Sequence, residues 1–301
     1  RRWRQPRTSE VTERLSALAP SEQSLVGYLF WLSRPRFWLY LAGPVVVGVV
    51  YAADSVAEFF TPLTVGMFLY FLIPANLFLY GINDIFDRDV DEHNPKKSKE
   101  GNEVRYQGDA LVVMMVYLMT ALGGLFVPFV PNIGIYVLMA FFVLGAQYSA
   151  PPLRLKTKPF LDSLSNGLYI LPGLLAYLAV ARSFPPALAV AGGWLWTMAM
   201  HTFSAVPDIE PDRTADIRTA ATVLGERGAL AYCGVCWVAA AALMALVHPF
   251  LGGVFAVYPL FVATIVVADV ATDRAYWWFP ILNTLAGMVL TMAGIWVILY
   301  G

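Results

Sequence analysis

Long runs of apolar residues dominate this chain, and they limit what it can fold into. Of its 301 residues, 58% are hydrophobic and only 14% are charged. A hydrocarbon core about 30 Å thick needs roughly 20 apolar residues per helix, and these runs are too long and too uniformly apolar for membrane-barrel strands. We therefore predict an all-α integral membrane protein. Its nine transmembrane helices are predicted at about 36–53, 60–82, 109–127, 132–149, 164–181, 186–206, 229–247, 250–268 and 276–299.

Basic residues are unevenly distributed among the segments that join these runs. If the amino terminus and every second connection lie on one side, that side holds 19 of the 20 lysines and arginines, and only Arg182 lies opposite. Positive charge is retained on the cytoplasmic side of membrane proteins. We therefore expect a multi-pass protein of the cell membrane, with its amino terminus and a cap of long loops in the cytoplasm and its carboxyl terminus outside.

The chain divides simply along its length. Residues 1–24 are polar and basic and contain no apolar segment typical of a cleavable signal peptide. They are predicted to form a tail, and residues 25–301 are predicted to form a single nine-helix membrane domain. The net charge of −1 gives no reason to expect a nucleic-acid partner, and the sequence does not indicate the oligomeric state.

Two acidic clusters follow the second and the sixth apolar runs. In each, three aspartates recur every three or four residues and would line one face of a helix; they are Asp84, Asp87 and Asp91, and then Asp208, Asp212 and Asp216. Asn83 lies one helical turn before Asp87 and joins the first cluster. Carboxylates suit Mg²⁺, which usually binds one or two of them together with substrate phosphates. The clusters therefore predict metal-assisted chemistry on a diphosphate.

A basic loop lies between the two acidic clusters, after the fourth apolar run. Arg154 and Lys156 place positive charge close to the membrane surface, and Pro151-Pro152 stiffens the turn before them. Such charge can hold phosphate oxygens and stabilise a departing diphosphate. Arg88 is a further candidate diphosphate contact, although positive-inside topology accounts for it equally well.

Other candidate features favour no separate chemistry. His93, His201 and His248 form no ligand spacing, and a lone histidine such as His201 is more often a packed polar residue. Cys233 and Cys236 lie inside the seventh run and are interpreted as helix-packing residues. A transporter is the main alternative class, since carboxylates in a membrane also mark cation pathways. It fits less well, because these carboxylates cluster at helix ends beside arginine and lysine.

With these motifs in place, the chain resembles the UbiA superfamily of intramembrane prenyltransferases over nearly its whole length. The resemblance rests on three motifs. The NDxxDxxxD motif matches Asn83, Asp84, Asp87 and Asp91; the second DxxxD motif matches Asp208 and Asp212, extended by Asp216; the YSxxPxRxK-like loop matches Tyr148 to Lys156. Within the superfamily, the local sequence is most similar to lycopene elongases of C50 carotenoid synthesis. The similar stretches include Tyr80-Gly81-Ile82-Asn83-Asp84 and Tyr148-Ser149-Ala150-Pro151.

The resemblance implies a fold, a cofactor and a set of site residues. Nine helices would surround a central cavity, with a cytoplasmic cap of loops and short helices, and Mg²⁺ would be the cofactor. The implied metal ligands are Asn83, Asp84, Asp87, Asp91, Asp208, Asp212 and Asp216. The implied diphosphate contacts are Asn83, Tyr148, Arg154, Lys156 and Arg88. The implied catalytic residues are Asp84, Asp87, Asp208 and Lys156.

The reaction that the resemblance implies joins dimethylallyl diphosphate to lycopene. Ionisation of the donor gives an allylic cation, which adds to a terminal double bond of the acceptor and leaves a tertiary cation. That cation loses a proton or captures water, and the diphosphate or an aspartate could serve as the base. An aromatic or polar acceptor (a quinone precursor, a haem, a chlorophyllide or an ether lipid) is the alternative. The lack of lysine or arginine inside the runs favours an uncharged acceptor.

Overall fold

The computed structural model describes residues 24–91 and 110–301, and over these residues the chain is helical without any strand. We number the α-helices in chain order. They are α1 (Leu25–Leu32), α2 (Trp38–Ala52), α3 (Pro62–Leu72), α4 (Pro74–Asp91), α5 (Ala110–Gly124), α6 (Asn132–Ser149), α7 (Leu161–Ser165), α8 (Leu171–Ala181), α9 (Ala187–Ala205), α10 (Ile209–Thr214), α11 (Ala220–Val247), α12 (Pro249–Phe255), α13 (Val257–Val267) and α14 (Thr272–Tyr300). The prediction of an all-α membrane protein is confirmed.

Short 3₁₀ helices connect many of these elements. They are Pro35–Phe37, Val56–Phe60, Val127–Phe129, Leu155–Thr157, Asn166–Ile170 and Val206–Asp208. Helix starts follow local capping chemistry: the Thr61 side chain accepts a hydrogen bond from the backbone N–H of Thr64 at 3.2 Å, and Pro62 begins α3. Proline suits the first turn of a helix because the N–H that it lacks would be unpaired there.

Eight segments in the described residues are long and apolar enough to cross a membrane. They are Pro35–Ala52, Pro62–Phe86, Ala110–Phe129, Asn132–Ser149, Leu161–Ala181, Ala220–Val247, Pro249–Val267 and Thr272–Tyr300. The remaining predicted span corresponds to α9, which has 19 residues and is therefore about 28 Å long. This helix is less apolar because it carries glycines, threonines and His201, and it packs against α11 in the interior of the bundle. Its length would let it cross a membrane, and the ninth span stays a prediction.

Glycines bring two helices into backbone contact near the site. A Cβ atom on Gly48 of α2 would lie 2.1 Å from the carbonyl oxygen of Gly173 in α8, and one on Gly173 would lie 2.6 Å from the carbonyl oxygen of Pro44. Only a residue without a side chain fits at either place. Close approach through small residues is how helices pack in lipid, where burial of apolar surface gives little drive.

Aromatic side chains fill the interior between α9, α11 and α14. Phe203, Trp237 and Phe279 are fully buried and lie in ring contact, with centroids 5.1 to 5.9 Å apart. Cys233 and Cys236 are free and buried in the same region. They accordingly pack between helices, as the sequence indicated.

Candidate active site

The first acidic cluster lies at the carboxyl-terminal end of α4. This helix continues without a break to Asp91, so the spacing predicted for Asp84, Asp87 and Asp91 falls on one helix. Asp84 is only 1% exposed, and its Oδ1 lies 3.7 Å from Nη2 of Arg34. Asn83 accepts a hydrogen bond from Oγ of Ser149 at 2.8 Å, which ties α4 to the end of α6. The side chains of Asp87, Arg88 and Asp91 lie outside the described residues, so their predicted roles stay predictions.

Arg34 is a site residue that the predicted set of metal ligands and diphosphate contacts did not include. It precedes the 3₁₀ helix Pro35–Phe37 with a φ of 50°, a left-handed conformation that is uncommon for arginine. Its guanidinium carbon stands 4.4 Å from the centroid of the Tyr80 ring. The left-handed turn and the Tyr80 ring together orient the guanidinium of Arg34 towards Asp84. The proline that follows Arg34 was the only signal in the sequence, because the arginine's distance from both acidic clusters along the chain hides this contact.

The basic loop after α6 brings Arg154 and Lys156 to the same place. Arg154 also has a positive φ, 43°, and its Nη2 donates to the carbonyl oxygen of Phe86 at 3.3 Å, beside the first cluster. The Nε of Arg154 is buried without a hydrogen-bond partner. A buried donor of this kind favours a site for an oxygen-rich anion, because an unpaired buried polar group is costly. The predicted contact of Arg154 with a phosphate stays a prediction.

Lys156 lies on the 3₁₀ helix Leu155–Thr157, among charges from three other elements. Burial lowers the pKa of Lys156 to about 8, opposed by the carboxylates of Asp212 and Asp84 and assisted by the guanidinium of Arg34. Desolvation disfavours the charged form of a lysine, whereas nearby carboxylates favour it. The lysine therefore lies within electrostatic reach of both acidic clusters, and the two clusters converge on it.

The second acidic cluster differs from its predicted form. Asp208 ends the 3₁₀ helix Val206–Asp208 and Asp212 lies on the short α10; both are partly buried. The helix stops at Thr214, and Asp216 lies beyond it in an exposed turn with a φ of 53°. The expectation that all three aspartates line one helical face was therefore wrong for Asp216, because the left-handed turn breaks the periodicity.

The oxygen ligands near Lys156 fit a hard cation whose coordination shell is completed by substrate oxygens. Among the described residues no three acidic, histidine or cysteine side chains form a ready metal group. The carboxylates of Asp84 and Asp212 nevertheless converge on Lys156 from opposite elements. Mg²⁺ commonly uses one or two carboxylates, several waters and substrate phosphates. Asp84, Asp208 and Asp212 could hold it in this way, with Asn83 as a further oxygen donor.

A polar cavity of about 190 Å³ lies beneath these charged groups. Its polar wall comes from α4, α6, α9 and the connections before α2 and α8. It includes Arg34, Asn83, Tyr148, Asn166, His201 and Ser204. Aromatic rings form much of the remainder: Phe37, Tyr40, Tyr80, Tyr169, Tyr276 and Phe279. Tyr148 therefore lies in the cavity wall, and its predicted contact with the diphosphate stays a prediction.

His201 belongs to this wall, although the sequence favoured a packed polar residue. Its Nε2 lies 3.4 Å from the hydroxyl of Tyr148 and 3.7 Å from Oδ2 of Asp162. Asp162, on α7, is fully buried and was not singled out from the sequence. Three separate helices supply this group, so no spacing along the chain could reveal it.

A second, larger chamber of about 640 Å³ adjoins the polar cavity. Its wall is mostly apolar and comes from α2, α8, α9, α11, α12 and α14. Tyr40 and Met200 line both spaces and mark the boundary between them. Asn283 stands at this boundary, with its Nδ2 3.4 Å from the Tyr40 hydroxyl. A charged site thus borders directly on a space suited to hydrocarbon.

The sequence and the fold match one family of known proteins. The model of the UbiA prenyltransferase family matches residues 41–284. A lycopene elongase/hydratase from Haloarcula japonica is 56% identical over 290 residues, which cover 96% of this chain and 98% of the relative. The protein of that name from Halobacterium salinarum is 57% identical over 278 residues, which cover 91% and 99%.

The solved structure of a UbiA homologue from Archaeoglobus fulgidus, bound to DMAPP and Mg²⁺, has the same fold. It aligns with a TM-score of 0.71 at 21% identity and covers 89% of this chain and 98% of that protein. The family match spans well over half of the chain, and the two relatives cover more than nine tenths of it. This multi-pass membrane protein is therefore a prenyltransferase and belongs to the UbiA prenyltransferase family.

Proposed function

We propose that this protein transfers the dimethylallyl group of dimethylallyl diphosphate to the ends of lycopene, with Mg²⁺ as cofactor, and that water quenches the final cation. The observation that carries the proposal is the contact between a charged polar cavity and an apolar chamber of about 640 Å³. Relatives named lycopene elongase/hydratase support the acceptor and the hydration. The Archaeoglobus fulgidus homologue, described as bound to DMAPP and Mg²⁺, supports the donor and the metal.

In this proposal the residues around the polar cavity hold the donor diphosphate. Asp84, Asp208 and Asp212 hold Mg²⁺, which when bound neutralises diphosphate charge and favours departure of the leaving group. Lys156 and Arg154 contact the phosphate oxygens directly. Arg34 adds a third positive charge beside Asp84. Fixed charges of this kind stabilise the developing diphosphate anion without reorganising during the reaction.

The allylic cation then faces the aromatic part of the cavity wall. Tyr40, Tyr80, Tyr169 and Tyr276 line that wall, and the faces of their rings attract positive charge. The apolar chamber accepts a hydrocarbon end and brings its terminal double bond to the boundary formed by Tyr40 and Met200. Its wall carries no lysine or arginine, as suits an uncharged acceptor.

A product assay with purified protein in nanodiscs tests the proposal. Protein, Mg²⁺, dimethylallyl diphosphate and lycopene should yield carotenoids that are one or two isoprene units longer, with one added water for each unit. EDTA and Asp84→Ala should each abolish them. Glu210→Ala is the matched control, because this exposed carboxylate on α10 pairs only with Arg213 in the structure. Transfer to a quinone precursor, with none to lycopene, would disprove the acceptor and keep the reaction class.

We also propose the orientation and organisation indicated by the basic residues. The amino terminus and the cap that carries Arg154 and Lys156 would face the cytoplasm, and the carboxyl terminus would lie outside. Residues 25–301 would form one membrane domain after a tail of residues 1–24. Nine spans place the two termini on opposite sides, whereas eight would place them on the same side. Labelling of single cysteines near each end by an impermeant reagent distinguishes the two arrangements.

A further inference from the structure

A group of three polar side chains meets between α6, α7 and α9, with two of them in the wall of the polar cavity. It consists of Asp162 on α7, His201 on α9 and Tyr148 on α6. Nε2 of His201 lies between the other two, 3.4 Å from the Tyr148 hydroxyl and 3.7 Å from Oδ2 of Asp162. The Tyr148 and His201 rings meet edge to face with centroids 5.9 Å apart. The group therefore has a fixed arrangement.

The buried carboxylate of Asp162 indicates that this group does more than fill space between the helices. Its side chain is fully buried; Oδ2 accepts the backbone N–H of Ala220 at 2.9 Å, at the start of α11, while Oδ1 has no hydrogen-bond partner. A buried carboxylate is costly unless a positive charge or sufficient hydrogen bonds compensate it. Nε2 of His201 lies 3.7 Å from Oδ2 of Asp162, so a proton received by this imidazole would form an ion pair with the carboxylate.

The position of the group relative to the two chambers indicates which proton it takes. A cavity of about 190 Å³ has room for several water molecules, whose share of liquid volume is about 30 Å³ each. Tyr148 and His201 line that polar cavity, and Met200, next to His201, lines both the cavity and the apolar chamber. Water beside Tyr148 is thus close to the place where the acceptor end would react.

We propose that His201 is the general base for hydration, receiving the proton of the attacking water through the hydroxyl of Tyr148. This inference rests on the proposed function. The water oxygen donates an electron pair to the tertiary carbon and forms the C–O bond. One O–H bond of the water breaks, its proton passes to Tyr148, and Tyr148 passes its own proton to Nε2 of His201. The product is a tertiary alcohol.

Asp162 acts here as a positioning residue. Its carboxylate stabilises the imidazolium while the proton resides on Nε2, the nitrogen that faces Oδ2. The imidazolium then gives its proton to the diphosphate released in the transfer step, which returns His201 to the neutral state. Overall, one water adds to the cation and one proton leaves with the diphosphate, so atoms and charge balance.

The test compares alcohol with alkene product, because a tertiary cation that is not hydrated loses a proton from carbon. Wild-type protein, His201→Gln and Tyr148→Phe are incubated with Mg²⁺, dimethylallyl diphosphate and lycopene in water labelled with heavy oxygen. Both products are measured by mass spectrometry and normalised to the diphosphate released. We expect the alcohol-to-alkene ratio to fall about 100-fold in both variants, at the lower end of general-base effects.

Two further variants separate catalysis from structure. Asp162→Asn retains an oxygen that can accept the N–H of Ala220, so it should fold, yet it should also lower the ratio. Thr197→Ser is the matched control: Thr197 lies on α9, like His201, but lines neither chamber, and its hydroxyl donates to the backbone carbonyl of Trp194. The ratio in Thr197→Ser should equal that of the wild type. A comparable fall in this control would overturn the assignment to His201.

An unchanged ratio in His201→Gln and Tyr148→Phe would overturn the inference. Should His201→Gln fail to fold, wild-type protein in heavy water gives a second test, because proton transfer from water to a base slows the alcohol branch only. The alkene share should rise, and an unchanged share would contradict the proposal. Failure of the proposed function is seen separately, as the absence of any elongated product from the wild type.

Discussion

Lys156 is the residue on which both halves of the candidate site act. Burial lowers the pKa of this amino group to about 8, although carboxylates from two elements favour its charged form. It therefore titrates in a range where most lysines are fully protonated. Binding of a diphosphate favours the protonated form, so donor affinity depends on pH through this residue.

The sign of this dependence follows from the lowered pKa. Below about pH 8 the free protein already carries the proton, and donor affinity from this source is constant. At higher pH, binding must take up a proton, so the Kd should rise up to about tenfold per pH unit. Isothermal titration calorimetry with dimethylallyl diphosphate and Mg²⁺ between pH 7 and 10 measures this change in Kd. The proton uptake on binding is measured in parallel.

Lys156→Arg supplies a charge that does not titrate in this range and should remove the rise. Lys158→Arg is the control, because Lys158 is exposed two residues away and should leave the profile unchanged. A rise that persists in Lys156→Arg would assign the titration to another group.

Single residues also mark where prediction from sequence stops. The carboxylates and the basic loop could be found, because their spacing and charge are visible along the chain. Arg34, Asp162 and His201 could not, since their partners come from other helices and only tertiary packing joins them. A histidine on an apolar run gives no signal that a buried carboxylate lies beside it.

At the scale of elements, the end of α10 decides which aspartates face the site. The spacing predicted a continuous stripe, but the left-handed turn at Asp216 places that residue in solvent. Helix ends depend on local backbone conformation, which periodicity alone does not reveal. The transmembrane helices were predictable for the opposite reason, because in lipid each must satisfy its own backbone hydrogen bonds over a fixed length.

Two isosteric substitutions should separate the aspartates of the second cluster. Asp212→Asn removes a carboxylate that acts on Lys156 and should lower turnover at least about 100-fold, the order expected when a charged group that stabilises the transition state is lost. Asp216→Asn should change turnover less than about threefold, as surface changes usually do. Initial rates of diphosphate release at saturating and limiting Mg²⁺ measure both. An equal loss of turnover in the two variants would indicate that Asp216 also binds the metal.

The contact between α2 and α8 gives a prediction about stability. In Gly48→Ala the new Cβ would lie 2.1 Å from the carbonyl oxygen of Gly173, so the two backbones must separate. Such overpacking typically costs about 1–3 kcal/mol. Thermal unfolding in detergent should show a lower midpoint for Gly48→Ala. Gly43→Ala, on the same helix, is the control, because nothing lies within 4 Å of a Cβ there.

At the scale of the whole molecule, the bundle brings a charged cavity and an apolar chamber together at one boundary. The polar cavity by itself is lined by residues from α2, α4, α6, α9 and α14. Its assembly therefore requires most of the fold. The sequence predicted the class of fold and the acidic and basic motifs. The boundary at Tyr40 and Met200 depends on how the helices pack, and the sequence did not indicate it.

The boundary between the chambers has a consequence for an acceptor with two equivalent ends. Under the proposed function, both ends of lycopene react at the same place, and a rigid polyene cannot present both ends there at once. After the first transfer, the singly extended molecule must withdraw into the bilayer, reverse and enter again. Synthesis should accordingly be distributive. In a time course with excess lycopene, the singly extended carotenoid should accumulate before the doubly extended one. Further lycopene added midway should compete with the singly extended carotenoid for the site and so slow the second transfer.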